Sequence, residues 1–391
     1  MQPTALDAPA GQKRPAAYKS DVPVPTIVLT VLVSDEVDLT ESLLDYYFEQ
    51  GVDFAIVTAN RAPDAVLEKV ARYVERGSAR LIREDHGPFA QDRWVTRMAR
   101  LAAEEHGADW VINVDADEFF WPEAGTLKEI LAAVPPDYGA LDVPVCHFVP
   151  CRDEQGFFAD RLTVRETSSL KPSRRAVFAK AIHRAAPDVE VSMGNHRVSG
   201  TGLQSLKGWQ PIRGLHFPVR GWEQFESRVA RDLRADTSLG MKRYTERFAL
   251  YRSGRLHEVY ERELMSDEEI EAGLREGVLV LDERLKRFFE GGRVDDPRAF
   301  DPDRVAELRV AARRAAVEHE RHPFAFEAAK LRDELDKARR GRETFRRRLA
   351  KVERRQDELK GELRAVRSTL PFWLGRRLEP LLAAIRHRRG R

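Results

Sequence analysis

Cysteine is nearly absent from this 391-residue chain, which holds only Cys146 and Cys151. So sparse a pair, set close together beside an expected strand, excludes a disulfide framework and reads as two reduced thiols. Long apolar runs are missing as well. No stretch approaches the roughly 18 uninterrupted apolar residues of a membrane-spanning helix, and Lys13 and Arg14 are not followed by the apolar core of a signal peptide. The expectation is therefore a cytoplasmic chain, with a peripheral position on the inner face of a membrane left open. Charge is what the sequence has in quantity: 33% of residues are charged and 42% apolar. That balance fits one domain of about 250 residues with exposed helical appendages. The net charge of +2 hides an asymmetry, since residues 339–391 carry 18 Lys/Arg against 6 Asp/Glu, leaving the rest of the chain acidic.

Residues 1–25, with Pro3, Pro9, Pro15, Pro23 and Pro25, are expected to be a disordered N-terminal segment. Order begins at Thr26, where Ile27-Val28-Leu29-Thr30-Val31-Leu32-Val33 has the β-branched, continuously apolar pattern of a strand buried on both faces. A helix follows, with Asp38 as its cap and Glu41 completing a capping-box-like pair, ended by Gly51. Strands at 54–58, 79–83 and 110–114 alternate with helices that stop at Gly77 and Gly107. Four such alternations predict an open, mostly parallel α/β sheet. Further on, the pattern gives a helix near 127–134, a strand near 141–145, helices over 222–236 and 266–290, and a linker at 291–303 carrying Gly291, Gly292, Pro297 and Pro302. From Ala328 through Leu331, Leu335, Phe345, Leu349, Val352, Leu359, Leu363 and Val366 to Leu370 the apolar spacing is 3-4-3-4, with Arg342 and Gln356 as polar a-position exceptions. This predicts a coiled coil over 324–370 and, through it, a homodimer. The tail 371–391 mixes Phe372, Trp373 and Leu374 with arginines, the composition of an interfacial helix for anionic lipid or of a cap on the coiled coil. The domain organisation read from this is 1–25, 26–290, 291–323, 324–370 and 371–391.

The strongest chemical signal is Asn113-Val114-Asp115-Ala116-Asp117-Glu118-Phe119-Phe120. Strand alternation would send Asp115 and Asp117 to one face at the carboxyl end of the fourth strand, the edge where ligands of open α/β sheets bind. Two carboxylates there need a cation between them, and oxygen ligands favour Mg²⁺ or Mn²⁺. The same alternation would turn Glu118 away.

The block from Pro88 to Phe120, with Gln91, Asp92, Trp94, Gly107-Ala108-Asp109-Trp110 and Asp115-Ala116-Asp117-Glu118-Phe119, resembles the family 2 glycosyltransferases of GT-A (Rossmann-like) fold, in particular a bacterial branch with an Asp-x-Asp-Glu-Phe signature. The resemblance runs from about 26 to 235 and takes in Gly194-Asn195-His196 and His216-Phe217-Pro218-Val219-Arg220. It implies a nucleotide-diphospho-sugar donor, a divalent metal as cofactor, inversion at the anomeric carbon and a glycan or lipid-linked acceptor, with cell-envelope polysaccharide synthesis as a setting. Val33, Ser34, Asp35 and Glu36 would line the nucleoside pocket. Asn60 and Asp85 would contact base or ribose, and Gln91 and Arg93 would face the donor beside Asp115. One departure is Thr58-Ala59-Asn60, where the family commonly has paired acidic residues. A neutral His216 would complete the metal set of Asp115 and Asp117, with His196 competing for that place and a purely structural, hydrogen-bonded role for both as the alternative. Arg220 and Lys180 would meet phosphate oxygens or serve as ordinary salt-bridge partners. Inversion also needs a carboxylate base, for which Glu166 and Glu223 are the candidates. Two other classes remain open: a non-catalytic coiled-coil scaffold, and a nucleotidyltransferase, although Ser34-Asp35-Glu36 is acidic where a triphosphate loop would be basic. No nucleic-acid-reading module accompanies the basic tail.

Overall fold

The computed structural model describes residues 22–86, 88–152, 154–167, 179–234, 242–292, 296–321 and 360. The chain divides into two compact units, 1–323 and 324–391. Apart from Lys360, the expected coiled coil and basic tail lie outside the described residues, as does the N-terminal segment before Val22. The strands are β1 (Ile27–Val33), β2 (Phe54–Asn60), β3 (Ala79–Glu84), β4 (Trp110–Asp115), β5 (Glu118–Pro122), β6 (Ala140–His147), β7 (Val164–Glu166), β8 (Ala179–Arg184), β9 (Glu190–Val191), β10 (Val198–Ser199), β11 (Ser205–Leu206), β12 (Ile212–His216) and β13 (Leu279–Leu281).

The first half follows directly from the sequence pattern. The apolar runs of β1, β2 and β4 are almost fully buried, and together with β3 they pair in parallel in the order β3-β2-β1-β4. Three helices cross between them, Thr40–Glu49, Asp64–Glu75 and Gln91–Glu105. Gly51, Gly77 and Gly107, which follow them, all have positive φ, the backbone state that ends a helix at lowest cost when glycine supplies it. Leu39, Leu43, Leu44, Tyr46 and Tyr47 fill one side of the sheet, and Val95, Met98, Ala99 and Ala102 the other.

The sheet then reverses direction. β8 inserts antiparallel between β4 and β6, β12 joins β6 in parallel, and β5 closes the far edge antiparallel to β12, giving nine strands with β11 beside β6. The fold class is thus mixed α/β with a parallel-rich sheet. The direction of each strand decides the site: the carboxyl ends of β4, β6 and β12 and the amino ends of β5 and β8 all meet at one edge.

Three expectations are corrected. Asp38 does not cap the first helix; Leu39 holds that position without a side-chain bond, because the Asp38 carboxylate is drawn instead to the buried Arg220 guanidinium at 2.6 and 3.1 Å. The helix expected over 266–290 is broken into Asp267–Arg275, β13 and Arg284–Phe289. Gly277 turns at φ +67, and Leu279-Val280-Leu281 pairs with β7, which contributes nonlocal hydrogen bonds that a helix pattern cannot foresee. The helices Lys242–Arg252 and His257–Glu263 were not expected; with Trp222–Arg234 they enclose a small separate core of Phe225, Val229, Phe248, Leu256, Val259 and Tyr260. After 296–301 the helix Pro302–Arg321 sinks Val305, Ala312 and Ala316 into the main core. It is anchored by Asp301 N–H donating to Glu129 at 2.8 Å and by Thr126 donating to the Ala299 carbonyl at 3.0 Å.

Candidate functional site

β4 ends at Asp115 and β5 begins at Glu118, so Ala116 and Asp117 form the turn between two strands rather than the continuation of one. The turn resets the pleat. Asp115 and Asp117 therefore face different partners, and Glu118, which alternation would send away, starts a new strand beside them.

Asp115 is held by three donors. Lys180 Nζ lies 2.5 Å from one carboxylate oxygen, while Gln91 Nε2 at 2.8 Å and Asn195 Nδ2 at 3.2 Å donate to the other. Gly194 and Asn195 both adopt left-handed φ, and a Cβ on Gly194 would sit 2.8 Å from the His196 ring. This tight bend aims the buried Asn195 amide at Asp115 and lets Gly194 N–H donate to Gln91 at 3.3 Å. Lys180, 1% exposed, also reaches Glu118 at 2.9 Å. Burial alone would push the Lys180 ammonium down, but Asp115 and Glu118 outweigh it and hold the group above its ordinary value. Glu118 moves in the protonated direction, up to about 7: burial raises it, the anions Asp115 and Asp117 raise it further, and Lys180 only partly offsets them. The lysine divides its charge between two carboxylates, which is why it stays cationic while one of its partners is destabilised as an anion.

Asp117 faces the other way. Its carboxylate lies 3.3 Å from His216 Nε2 and 3.8 Å from Arg228. Burial pushes it up, yet His216, Arg228 and Arg220 hold it far below the usual carboxylate range. His216 ends β12 and is directly in register with Glu118 on one side and His147 on the other. Residues paired in register point to the same face of a sheet. Asp117, Glu118 and His216 bring one ligand atom each to within 4.8 Å of one another, the group among the described residues with the geometry to hold a metal. Two tyrosines fix this row from beneath: Tyr47 O–H donates to the Glu118 carbonyl and accepts from Phe120 N–H, both at 3.0 Å, and Tyr46 O–H donates to the Phe120 carbonyl at 2.9 Å.

The remaining expected residues are placed as follows. Val33 is buried in β1. Ser34 donates to the Asn60 carbonyl at 2.8 Å, and its N–H to Glu36 at 2.7 Å. Asp35 and Glu36 are met by Arg231, and Asp35 also by Ser227, both from the helix Trp222–Arg234. Asn60 donates to the Glu84 carbonyl, and Asp85 pairs with Arg83. Arg93 lies in the first turn of the helix that Gln91 opens. His196 bonds through Nδ1 to the Ala179 carbonyl at 2.9 Å and is outside the metal-competent group. Arg220 is bound to Asp38 and to the Phe217 carbonyl. Glu223 is exposed in the first turn of its helix, whereas Glu166 sits in β7 opposite Leu279. Sequence reasoning missed Asn195, Arg228 and His147. Asn195 carried a signal in its Gly-Asn-His setting, and His147 in ending an apolar strand.

No protein-family model matches the chain, and no curated protein sequence matches it. Solved structures do. TarS 1–349 from S. aureus, crystallised with UDP-GlcNAc, aligns at 14% identity over 52% of this chain and 64% of its own, with a TM-score of 0.34. The mannosyltransferase PcManGT from Pyrobaculum calidifontis, in complex with GDP-Man and Mn²⁺, aligns at 17% identity over 78% of this chain and 90% of its own, with a TM-score of 0.31. Glucosyl-3-phosphoglycerate synthase from Mycobacterium tuberculosis, in complex with Mn²⁺, UDP and glucosyl-3-phosphoglycerate, aligns at 16% over 34% and 50%, with a TM-score of 0.23. The chain thus spans less than two thirds of the TarS fragment's length, and likeness at this level leaves the chemistry to be read from the site's own residues.

Proposed function

We propose that this protein is a GT-A-type glycosyltransferase that moves a sugar from a nucleotide-diphospho-sugar to a hydroxyl of a glycan or lipid-linked acceptor, with inversion and with a divalent metal. The observation that carries the reading is the meeting of Asp117, Glu118 and His216 at the sheet edge where β4 and β12 end. The donor set fits a metal such as Mn²⁺: two carboxylates and one imidazole suit a borderline-hard divalent ion. Charge fits as well, because Asp115 and Glu118 share the one buried cation Lys180, and Asp117 stands close to Glu118. When bound, the ion would supply charge neutralisation at the departing nucleotide diphosphate.

Asp117, Glu118 and His216 hold the metal in this reading. Asp115, already oriented by Lys180, Gln91 and Asn195, contacts the donor. Arg228 is about one-third exposed beside Asp117 and can turn from that carboxylate to a phosphate oxygen, the kind of charge-assisted contact that stabilises a leaving group. Of the two base candidates, Glu223 shares its helix with Arg228 and is the one to test first. Pairing of two copies through 324–370 and membrane contact through 371–391 belong to the same proposal.

Calorimetric titration with UDP, GDP, CMP and dTDP, each with and without Mn²⁺, tests the reading, with Asp117→Asn as the control. The expected outcome is metal-dependent binding of one nucleotide that falls at least about tenfold in the variant. Folded wild-type protein that binds none of them overturns the proposal.

A further inference from the structure

His147, the last residue of β6, is 6% exposed and takes no part in the metal set proposed above. It lies beside His216 as its register partner, with ring centroids 4.8 Å apart and the planes inclined at 59°. The two Nδ1 atoms are 2.8 Å apart, a hydrogen-bond distance. A single proton occupies such a bond, so one ring donates and the other accepts. Which way it runs fixes what the far nitrogen of His216 offers. If His216 accepts at Nδ1, a neutral ring carries its proton at Nε2 and donates it to Asp117, 3.3 Å away. If His216 donates from Nδ1, Nε2 is left with a lone pair directed toward Asp117 and the metal position.

We infer that His147 is a positioning residue: with a metal in place of the proton that His216 Nε2 gives to Asp117, His147 accepts the Nδ1 proton of His216 and holds the tautomer and ring orientation in which His216 can ligate the metal. The inference rests on the metal reading above. A histidine ligand that donates its second nitrogen to a fixed acceptor is a recurrent arrangement, and loss of such an acceptor weakens metal affinity by roughly 10–100-fold. Here the acceptor is another imidazole held by a β-strand, so strand register rather than a flexible carboxylate sets the angle. Gly214, two residues before His216, keeps that register close: a Cβ there would come within 2.8 Å of Val145, two residues before His147.

The test compares His147→Leu, which removes the acceptor, with His147→Asn, whose amide oxygen stands close to the position of Nδ1. Mn²⁺ affinity is measured by calorimetry with the metal alone, and folding is checked by thermal melting and near-ultraviolet dichroism. Histidine-selective ¹⁵N spectra with Mg²⁺ report where the His216 ring carries its proton. The expected result is a roughly 10–100-fold loss of Mn²⁺ affinity in His147→Leu, recovery to within a few-fold in His147→Asn, and a His216 ring protonated at Nδ1 in the wild type. Equal affinity in all three proteins, an equal loss in both variants, or a His216 proton at Nε2 in the Mg²⁺ complex overturns the inference. Wild-type protein that binds no Mn²⁺ at all overturns the metal reading itself, a result distinguishable from the others because it precedes any substitution.

Discussion

Replacing Lys180 with methionine, a side chain of similar length without charge, leaves Asp115 and Glu118 facing each other without their shared cation. Lys180 is 1% exposed and lies 2.5 and 2.9 Å from the two carboxylates. Removing one partner from a buried ion pair costs about 3–5 kcal/mol, because the charge left behind has lost both water and its counter-ion. The cost has a pH dependence with a definite sign. Glu118 sits at about 7 in the folded protein with Lys180 in place, so at pH 8 the wild type holds it largely ionised beside the lysine, whereas the variant must either keep an unpaired buried carboxylate or take up a proton. At pH 6 it is largely protonated, and Lys180→Met then leaves mainly Asp115 uncompensated. The substitution therefore destabilises more at pH 8 than at pH 6. Urea unfolding at both pH values, followed by tryptophan fluorescence, measures this. A domain of this size is expected to have a total stability of about 5–15 kcal/mol, so a loss of about 3–5 is readable without unfolding the protein outright. A penalty below about 1 kcal/mol at pH 8, or one equal at the two pH values, refutes the reasoning.

Two further outcomes follow from the same geometry. Gly194→Ala puts a Cβ on a residue at φ +73 and 2.8 Å from the His196 ring; a loss of about 1–3 kcal/mol in stability is expected, together with weaker nucleotide binding as the Asn195 amide leaves Asp115, both measured on the purified variant by chemical unfolding and calorimetry. His183, fully buried in β8 with Nδ1 2.8 Å from the Arg184 carbonyl, is held down to about 4 by burial; its contribution is complete above the unfolded value near 6.5 and is lost as pH falls from there toward 4, so His183→Gln should flatten the stability-versus-pH curve across that window.

The first four strands and their helices are legible because each is a local pattern: an apolar β-branched run, a glycine stop, a helical face. The Asp115-Ala116-Asp117-Glu118 block is legible as chemistry, since carboxylates at the end of a buried strand need a counter-charge. Its geometry is not, because the chain turns at Ala116 and Asp117 and the alternation that assigned faces to Asp115, Asp117 and Glu118 is interrupted. Lys180 and His147 are less legible still. The meaning of Lys180 depends on β8 running antiparallel between β4 and β6, so that its second residue arrives at an edge otherwise built from strand ends. His147 matters only because β6 and β12 pair in the register that sets it against His216. Such facts arise from pairings between segments dozens of residues apart, and no window along the sequence contains them. The broken helix at 266–290 failed for the same reason, with β7 supplying the hydrogen bonds that made β13 a strand.

Among the described residues, these acids at the sheet edge each have a partner within the chain: Asp35 and Glu36 share Arg231, Asp38 has Arg220, Asp117 has Arg228 and His216, and Asp115 and Glu118 share Lys180. On the proposed function, a site whose acids are already partnered has few unengaged charges to offer either visitor alone. A divalent ion entering by itself meets the arginines, and a nucleotide-diphospho-sugar entering by itself meets the carboxylates. Together they would form a nearly neutral unit, for which Arg228 would be free to turn to a phosphate and Asp117 to a cation. Loading would then be a swap of counter-ions, with metal and donor admitted jointly far more readily than either one in isolation.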